Sequence, residues 1–301
     1  MSDSPGRSRN TGSRVSQVYK TAVAFRQALE QRLKRIAAER GTPLNTVRLN
    51  VTIERLLARL FATADPPWLL KGGYAMELRY RPNARATTDV DLSVAPRPAA
   101  ADQIAELRDH LQEAAARDLA DFFVFRVGSA STELQGAPLG GARFPVEATV
   151  AGRVFARFHV DVGVGDVLTG EPEALMGEDL LAFAGVAPAS VLAIPKAQQF
   201  AEKLHALTYP WSGRMNTRSK DLVDLVALID RAQLDQVKLL DSVRRTFETR
   251  RTHDVPAEIP VPPDAWAREF AAMAEEAGVA ERDLHAAHGR LAEYWTQVQQ
   301  V

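Results

Sequence analysis

From Ser16 onward, apolar residues return at a spacing near 3.6. Val23, Phe25, Ala28, Leu29, Leu33, Ile36 and Ala37 recur at that period up to Gly41, and this predicts a helix. A second helix is predicted after Thr42-Pro43, with Val47, Val51, Leu56, Leu57, Leu60 and Phe61 apolar, and Asp65-Pro66-Pro67 stops it. The pattern then changes. Trp68-Leu69-Leu70 is a short apolar run entering Gly72-Gly73 and a helix from Tyr74 to Tyr80, while Thr87 to Val94 reads as a strand punctuated by Pro96-Arg97-Pro98. Residues 100–120 have Ile104, Leu107, Leu111 and Ala115 on one helical face. Three β-like runs follow, Phe122–Val127, Arg143–Val150 and Arg153–Val162, with Gly140-Gly141 and Gly152 where turns belong. After Gly170 the periodicity predicts helices at 171–184, 196–208, 217–231, 235–248, 263–276 and 280–299. The fold class expected is α/β (α+β): a mixed-sheet lobe spanning 16–168 that includes the N-terminal helices, and a helical lobe spanning 169–301.

Composition narrows the possible functions. The chain has 301 residues, enough for about two domains, and its 46 % hydrophobic and 25 % charged content is that of a globular protein. It contains no cysteine, which excludes a disulfide framework, a thiolate metal site and a cysteine nucleophile. No apolar run approaches about 18 residues, and no signal-peptide core follows the early basic residues, so a cytoplasmic protein is expected. The net charge of −1 hides an asymmetry: residues 1–50 carry ten Lys/Arg against three Asp/Glu. That excess fits a polyanionic partner, although a solvated tail and an ordinary charged helix would give the same count. Residues 1–15, rich in Ser, Gly and Arg, have too little to bury and are expected to be a disordered basic tail.

The chemistry concentrates at Thr87-Thr88-Asp89-Val90-Asp91-Leu92. On a strand, Asp89 and Asp91 share a face, and two like charges so placed favour a cation between them. Hard oxygens of this kind suit Mg²⁺, which completes its shell with water and substrate phosphates. An exposed polar strand face is the alternative for an isolated D-x-D. Upstream, Lys71-Gly72-Gly73 stands at a strand-to-helix turn, where glycines allow close backbone approach and the helix start offers free N–H groups to a phosphate; a plain tight turn is the alternative. A third acid, Asp161, ends the run Phe155–Val162, with Asp166 just beyond it.

These features together resemble the nucleotidyltransferase superfamily, and more closely the AbiEii/MenT family of toxin nucleotidyltransferases. The resemblance covers roughly residues 45–300 and rests on five ordered blocks: LLKGGYAMELR at 69–79, RATTDVDL at 85–92, HVDVGVGD at 159–166, AEKLHAL at 201–207 and RSKDLVDL at 218–225. It implies a Mg²⁺-dependent transfer of a nucleotide from an NTP to the 3′ end of tRNA, a cognate antitoxin, and a monomer by default. A protein hydroxyl as acceptor, or a non-catalytic nucleotide- or RNA-binding module, is the rival implication. By the same resemblance Asp89, Asp91 and Asp161 would be the metal and catalytic acids, Lys203 the lysine reaching the phosphates, and Asp221 a further catalytic acid. Lys71, Gly72, Gly73, Arg85, Thr87, Arg218 and Lys220 would contact the nucleotide, and Asp224 would be structural, pairing with Lys203 or Arg218. Two departures stand out. The turn is Gly-Gly where relatives often have Gly-Ser, and Thr87 stands where the family commonly has the Ser that is phosphorylated in some relatives; a phosphate there would add about −1.5 to −2 charges beside Asp89.

His159, His205, His253, His285 and His288 show no metal-site spacing, and Trp211 reads either as a base-stacking residue or as a loop anchor.

Overall fold

The structure, a computed structural model, describes residues 18–95, 103–134, 136–210 and 216–301. The segment 1–15, Pro96-Arg97-Pro98 and Trp211 lie outside them. Two helices come first. α1 (Ala22–Arg40) starts where the Thr21 hydroxyl accepts the Ala24 N–H and ends at Gly41 in the left-handed region. Its Phe25, Leu29, Leu33 and Ile36 are buried, while Val23 is exposed. α2 (Leu44–Leu60) runs from Pro43 and buries nearly one whole face.

Among the described residues an eight-stranded mixed sheet follows. Its strands are β1 (Trp68–Lys71), β2 (Asp89–Val94), β3 (Phe123–Val127), β4 (Thr132–Glu133), β5 (Gly141–Val150), β6 (Arg153–Val164), β7 (Glu173–Met176) and β8 (Ser190–Ala193). Their order is β3-β5-β6-β2-β1-β8-β7, with β4 on β5. β2 runs antiparallel to β1 and parallel to β6. β5 and β6 form a hairpin through Ala151-Gly152, both at positive φ, which suits the right-handed twist of paired strands. A register shift next to Ala148 leaves Phe155 without a partner on β5. Two helices lie between strands: α3 (Gly72–Tyr80) after β1 and α4 (Gln103–Ala115) after β2.

The helix predicted over 171–184 does not form. That stretch holds β7 and a 3₁₀ turn at Ala182–Ala184, and β8, which periodicity had not marked, follows. Glu-Ala-Leu-Met is a strong helix-forming run, but pairing of β7 with β8, itself beside β1, overrides that local preference. The sheet therefore continues past position 168 to Ala193.

One buried ion cluster ties α2 to the sheet edge. Asp121, fully buried, accepts from Arg55 Nε at 2.6 Å and from both terminal nitrogens of Arg59, and also takes the Phe123 N–H. Burial alone would raise the Asp121 carboxyl, but the hydrogen bonds and charges of the two arginines hold it below the ordinary range. Ala120 and Phe122, on either side of it, both have positive φ, a conformation non-glycine residues rarely adopt unless held.

The helical half comprises α5 (Lys196–Thr208), α6 (Ser219–Arg231), α7 (Gln236–Arg250), α8 (Ala267–Glu276) and α9 (Leu284–Gln299). Phe200, Leu204, Leu222, Val226, Trp266, Phe270, Leu291 and Trp295 form its core, which Met76 of α3 also joins. Among the described residues no helix is long and apolar enough to cross a membrane. His205 of α5 is packed against Phe247 at 4.8 Å and His253 at 4.6 Å, with Nε2 at 2.7 Å from the Thr252 hydroxyl. Burial, reinforced by Arg250 and His253, pushes its pKa down to about 3. The unfolded chain therefore binds a proton that the fold refuses, so stability is complete above about pH 6.5 and falls as the pH drops below it. We expect a loss on the order of 1–2 kcal/mol by pH 5 that His205→Gln reduces. Thermal melts of both proteins at pH 7 and 5 check this, and equal pH slopes would refute it.

Candidate active site

Strand pairing sets four charged side chains in one row across four strands. Lys71 of β1 lies opposite Asp91 of β2, Asp91 opposite Asp161 of β6, and Asp161 opposite Arg143 of β5. Residues opposite one another on paired strands project to the same face, so the row reads cation, anion, anion, cation. Asp89, two positions before Asp91, shares that face and is paired in register with His159, whose Nδ1 is 3.7 Å from its carboxylate. Val90 and Leu92, between and beyond the acids, point into the core and are fully buried. The three predicted acids therefore do share one face. Burial and the neighbouring Asp161 carboxylate push Asp91 up to about 6, despite Lys71, Lys203 and Lys220 nearby.

The Gly72-Gly73 turn closes over this row. Gly72 opens α3 at φ +65, and a Cβ there would lie 1.9 Å from Asp91 Oδ2; a Cβ at Gly73 would lie 2.7 Å from the Thr87 hydroxyl. Only a residue without a side chain lets the helix start sit directly on the carboxylate. Gly72→Ala is expected to cost about 2–4 kcal/mol, from left-handed backbone strain and displacement of Asp91. Urea unfolding checks this, and an unchanged midpoint would show that Asp91 yields freely.

A second cluster faces the row from the helical half. Lys203 of α5 is buried and lies 3.3 Å from Asp221 and 2.5 Å from Asp224, both on α6. Burial opposes its charge, but Asp224 and Asp221 more than restore it and hold its pKa above the ordinary value. Arg85, expected at the nucleotide, grips Asp224 with both arms of its fork, Nε at 2.9 Å and Nη2 at 2.7 Å, and so fixes the acid that fixes Lys203; a Cβ on Gly73 would lie 3.3 Å from the same Nη2. Asp224 thus pairs with Lys203, as expected, and with Arg85. Arg218 lies instead 3.6 Å from Asp221. Lys220 is exposed beside the row.

Lys71 is also committed. Its ammonium pairs with Asp166 and lies 3.3 Å from Glu202, and Arg250 from α7 joins both acids at 2.9 and 3.2 Å. Charges from Lys71 and Arg250 overcome burial and hold Asp166 down at about 2. Glu202 and Arg250 went unnoticed in the sequence, as did Arg143, which binds both oxygens of Asp161. Among the described residues, no three His, Asp or Glu side chains are grouped closely enough to enclose a metal ion. The donor set nonetheless suits Mg²⁺: two hard carboxylates on one strand face, next to a helix start whose glycine leaves room on Asp91. A cavity of about 950 Å³, lined by Asn50, Glu77, Arg81 and Glu178 among others, contains none of Asp89, Asp91, Asp161 or Lys203.

Known proteins resemble this chain in sequence pattern and in fold. The family described as nucleotidyl transferase AbiEii toxin, type IV toxin–antitoxin system, matches residues 55–298. Among solved structures, the nucleotidyltransferase toxin MenT4 (Rv2826c) of Mycobacterium tuberculosis H37Rv is similar, with a TM-score of 0.56 and 18 % identity over 90 % of this chain and 97 % of its own. JHP933 from Helicobacter pylori also aligns, with a TM-score of 0.45 and 11 % identity over 85 % of this chain and 94 % of its own. No curated protein matches the sequence.

Proposed function

Because the chain belongs to the AbiEii family of nucleotidyltransferase toxins of type IV toxin–antitoxin systems, we propose that it transfers a nucleoside monophosphate from an NTP to a hydroxyl at the 3′ end of tRNA, so that aminoacylation and translation stop. The observation that carries this reading is the placement of Asp89 and Asp91 on one strand face, with Asp91 directly under the Gly72 helix start. Asp89 and Asp91 would hold Mg²⁺, which when bound neutralises triphosphate charge and orients the α-phosphate. The amides at the start of α3 face the phosphates, as helix N-termini do in anion sites. Lys203, fixed by Asp224 and Asp221, supplies a compact positive charge beside Asp91. The acceptor oxygen bonds to the α-phosphorus as the bond to the β-phosphate breaks. Pyrophosphate leaves with that electron pair, and the hydroxyl proton passes to water.

The basic excess in residues 1–50 supports a polyanionic acceptor. A cognate antitoxin is the partner the family implies, and we place the enzyme in the cytoplasm as a monomer. The test is incubation with Mg²⁺, total tRNA and each α-labelled NTP, beside Asp89→Ala. Label on tRNA that disappears in the variant supports the reading and identifies the nucleotide. Label on protein instead would make a protein hydroxyl the acceptor, and no label anywhere would leave a binding module.

A further inference from the structure

Asp161 differs from the other acids of the row because both of its oxygens are already taken. Arg143 Nε donates to Oδ1 and Nη2 to Oδ2, each at 2.8 Å, in the parallel fork that arginine makes with a carboxylate. The same Nη2 lies 3.5 Å from Asp89 Oδ2, so one guanidinium spans the outer acid of β2 and the acid of β6. The Arg143 side chain is 35 % exposed, which places its charge on the open face rather than in the core. Its carboxylate partners hold it charged, Asp161 above all through its hydrogen bonds, so it does not give up a proton at any ordinary pH.

In phosphoryl transfer with two metal ions, the second ion lies between the acids and stabilises charge on the attacking and leaving oxygens. In this chain a fixed cation already stands between Asp89 and Asp161. The three acids Asp89, Asp91 and Asp161 with Arg143 leave two negative charges, which one divalent ion balances. Lys71, Lys203 and Arg85, the more buried cations near Asp91, are matched by acids of their own.

We propose that Arg143 stands in the place of a second divalent cation, so that this enzyme binds a single metal ion at Asp89 and Asp91 while Arg143 restrains Asp161 and presents a permanent positive charge to the attacking hydroxyl oxygen. This rests on the nucleotidyltransferase reading. The pair uses Nε and Nη2, and Nη1 stays outside it. As the acceptor oxygen bonds to the α-phosphorus and pyrophosphate departs with the electron pair of the broken bond, Arg143 stabilises the developing charge without taking the proton, which leaves to water.

The test counts metal ions on the full-length protein. Mn²⁺ is titrated into the wild type, Arg143→Gln and Arg143→Lys, and free ion is read by electron paramagnetic resonance. The expected result is one bound Mn²⁺ in the wild type and in Arg143→Lys, and two in Arg143→Gln, because Asp161 is released and its charge is no longer balanced. Two ions in the wild type, or an unchanged single ion in Arg143→Gln with native circular dichroism, would overturn the proposal. The lysine variant keeps the test decisive if the glutamine variant misfolds: two ions bound to it would also overturn the proposal. Absence of nucleotide transfer by the wild type would instead sink the underlying reading, and the ion count does not depend on it.

Discussion

Asparagine at position 91 is expected to lower kcat/KM for nucleotide transfer by at least about 10³-fold, a loss of some 4 kcal/mol of transition-state stabilisation. The same substitution should leave the fold as stable as before or more so. Asp91 is partly buried, sits directly opposite the Asp161 carboxylate and touches the Gly72 turn, an arrangement that favours ligand capture over stability. Burial and Asp161 raise its pKa to about 6, so at pH 7 its charge costs the folded state free energy that a neutral amide of the same shape does not. A gain of about 1–2 kcal/mol is expected. Asp89 is half-exposed, and Asp89→Asn should cost activity without a comparable gain in stability. Labelled-nucleotide transfer together with urea unfolding of both variants checks the pair of effects. Retained transfer by Asp91→Asn, or marked destabilisation, would show that the carboxylate serves the fold and not the reaction.

The second large effect concerns stability alone. Asp121→Asn keeps the shape of the side chain but leaves Arg55 and Arg59 facing each other in the interior without their counter-charge. Their side chains are 5 % and 1 % exposed, so water cannot compensate. Breaking a buried pair in this way costs about 3–5 kcal/mol, which for a chain of this size corresponds to a drop in Tm of roughly 5–8 °C. The positive φ values at Ala120 and Phe122 add to the loss, because the anion that holds them is gone. Transfer activity per folded molecule should not change, since β3 is separated from β2 by two strands. A melt that shifts by less than 2–3 °C would show that the loop has another anchor.

Much of the site was legible because its signals are local. Alternation around Asp89 and Asp91 gives their shared face, and paired glycines before a helical period mark the turn. The position of Arg143 was not legible. Counting back from the Ala151-Gly152 turn without interruption sets Ala142 opposite Asp161. The single extra residue at Phe155 shifts the register by one and brings Arg143 there instead. The buried positions of β6 show the same slip: Phe155 is buried at one phase, then Phe158, Val160 and Val162 at the other. A bulge has no reliable composition, so it appears only once the strands are paired. The stretch 171–184 was misread for the opposite reason, because its local propensity was strong and its tertiary partner lay elsewhere. Arg85 and Asp224 are far apart in sequence, and no spacing rule joins them.

The connections between α5 and the sheet decide how a triphosphate gets in. The Gln199 amide donates to the Gly72 carbonyl while its oxygen accepts from Arg79, and Glu202 on the same helix joins Lys71. The lysine-bearing helix and the glycine turn are therefore laced together at the very edge where a clamshell would need its gap. We expect a triphosphate to enter without these two elements parting, so the enzyme's silhouette in solution scattering should be the same with nucleotide as without.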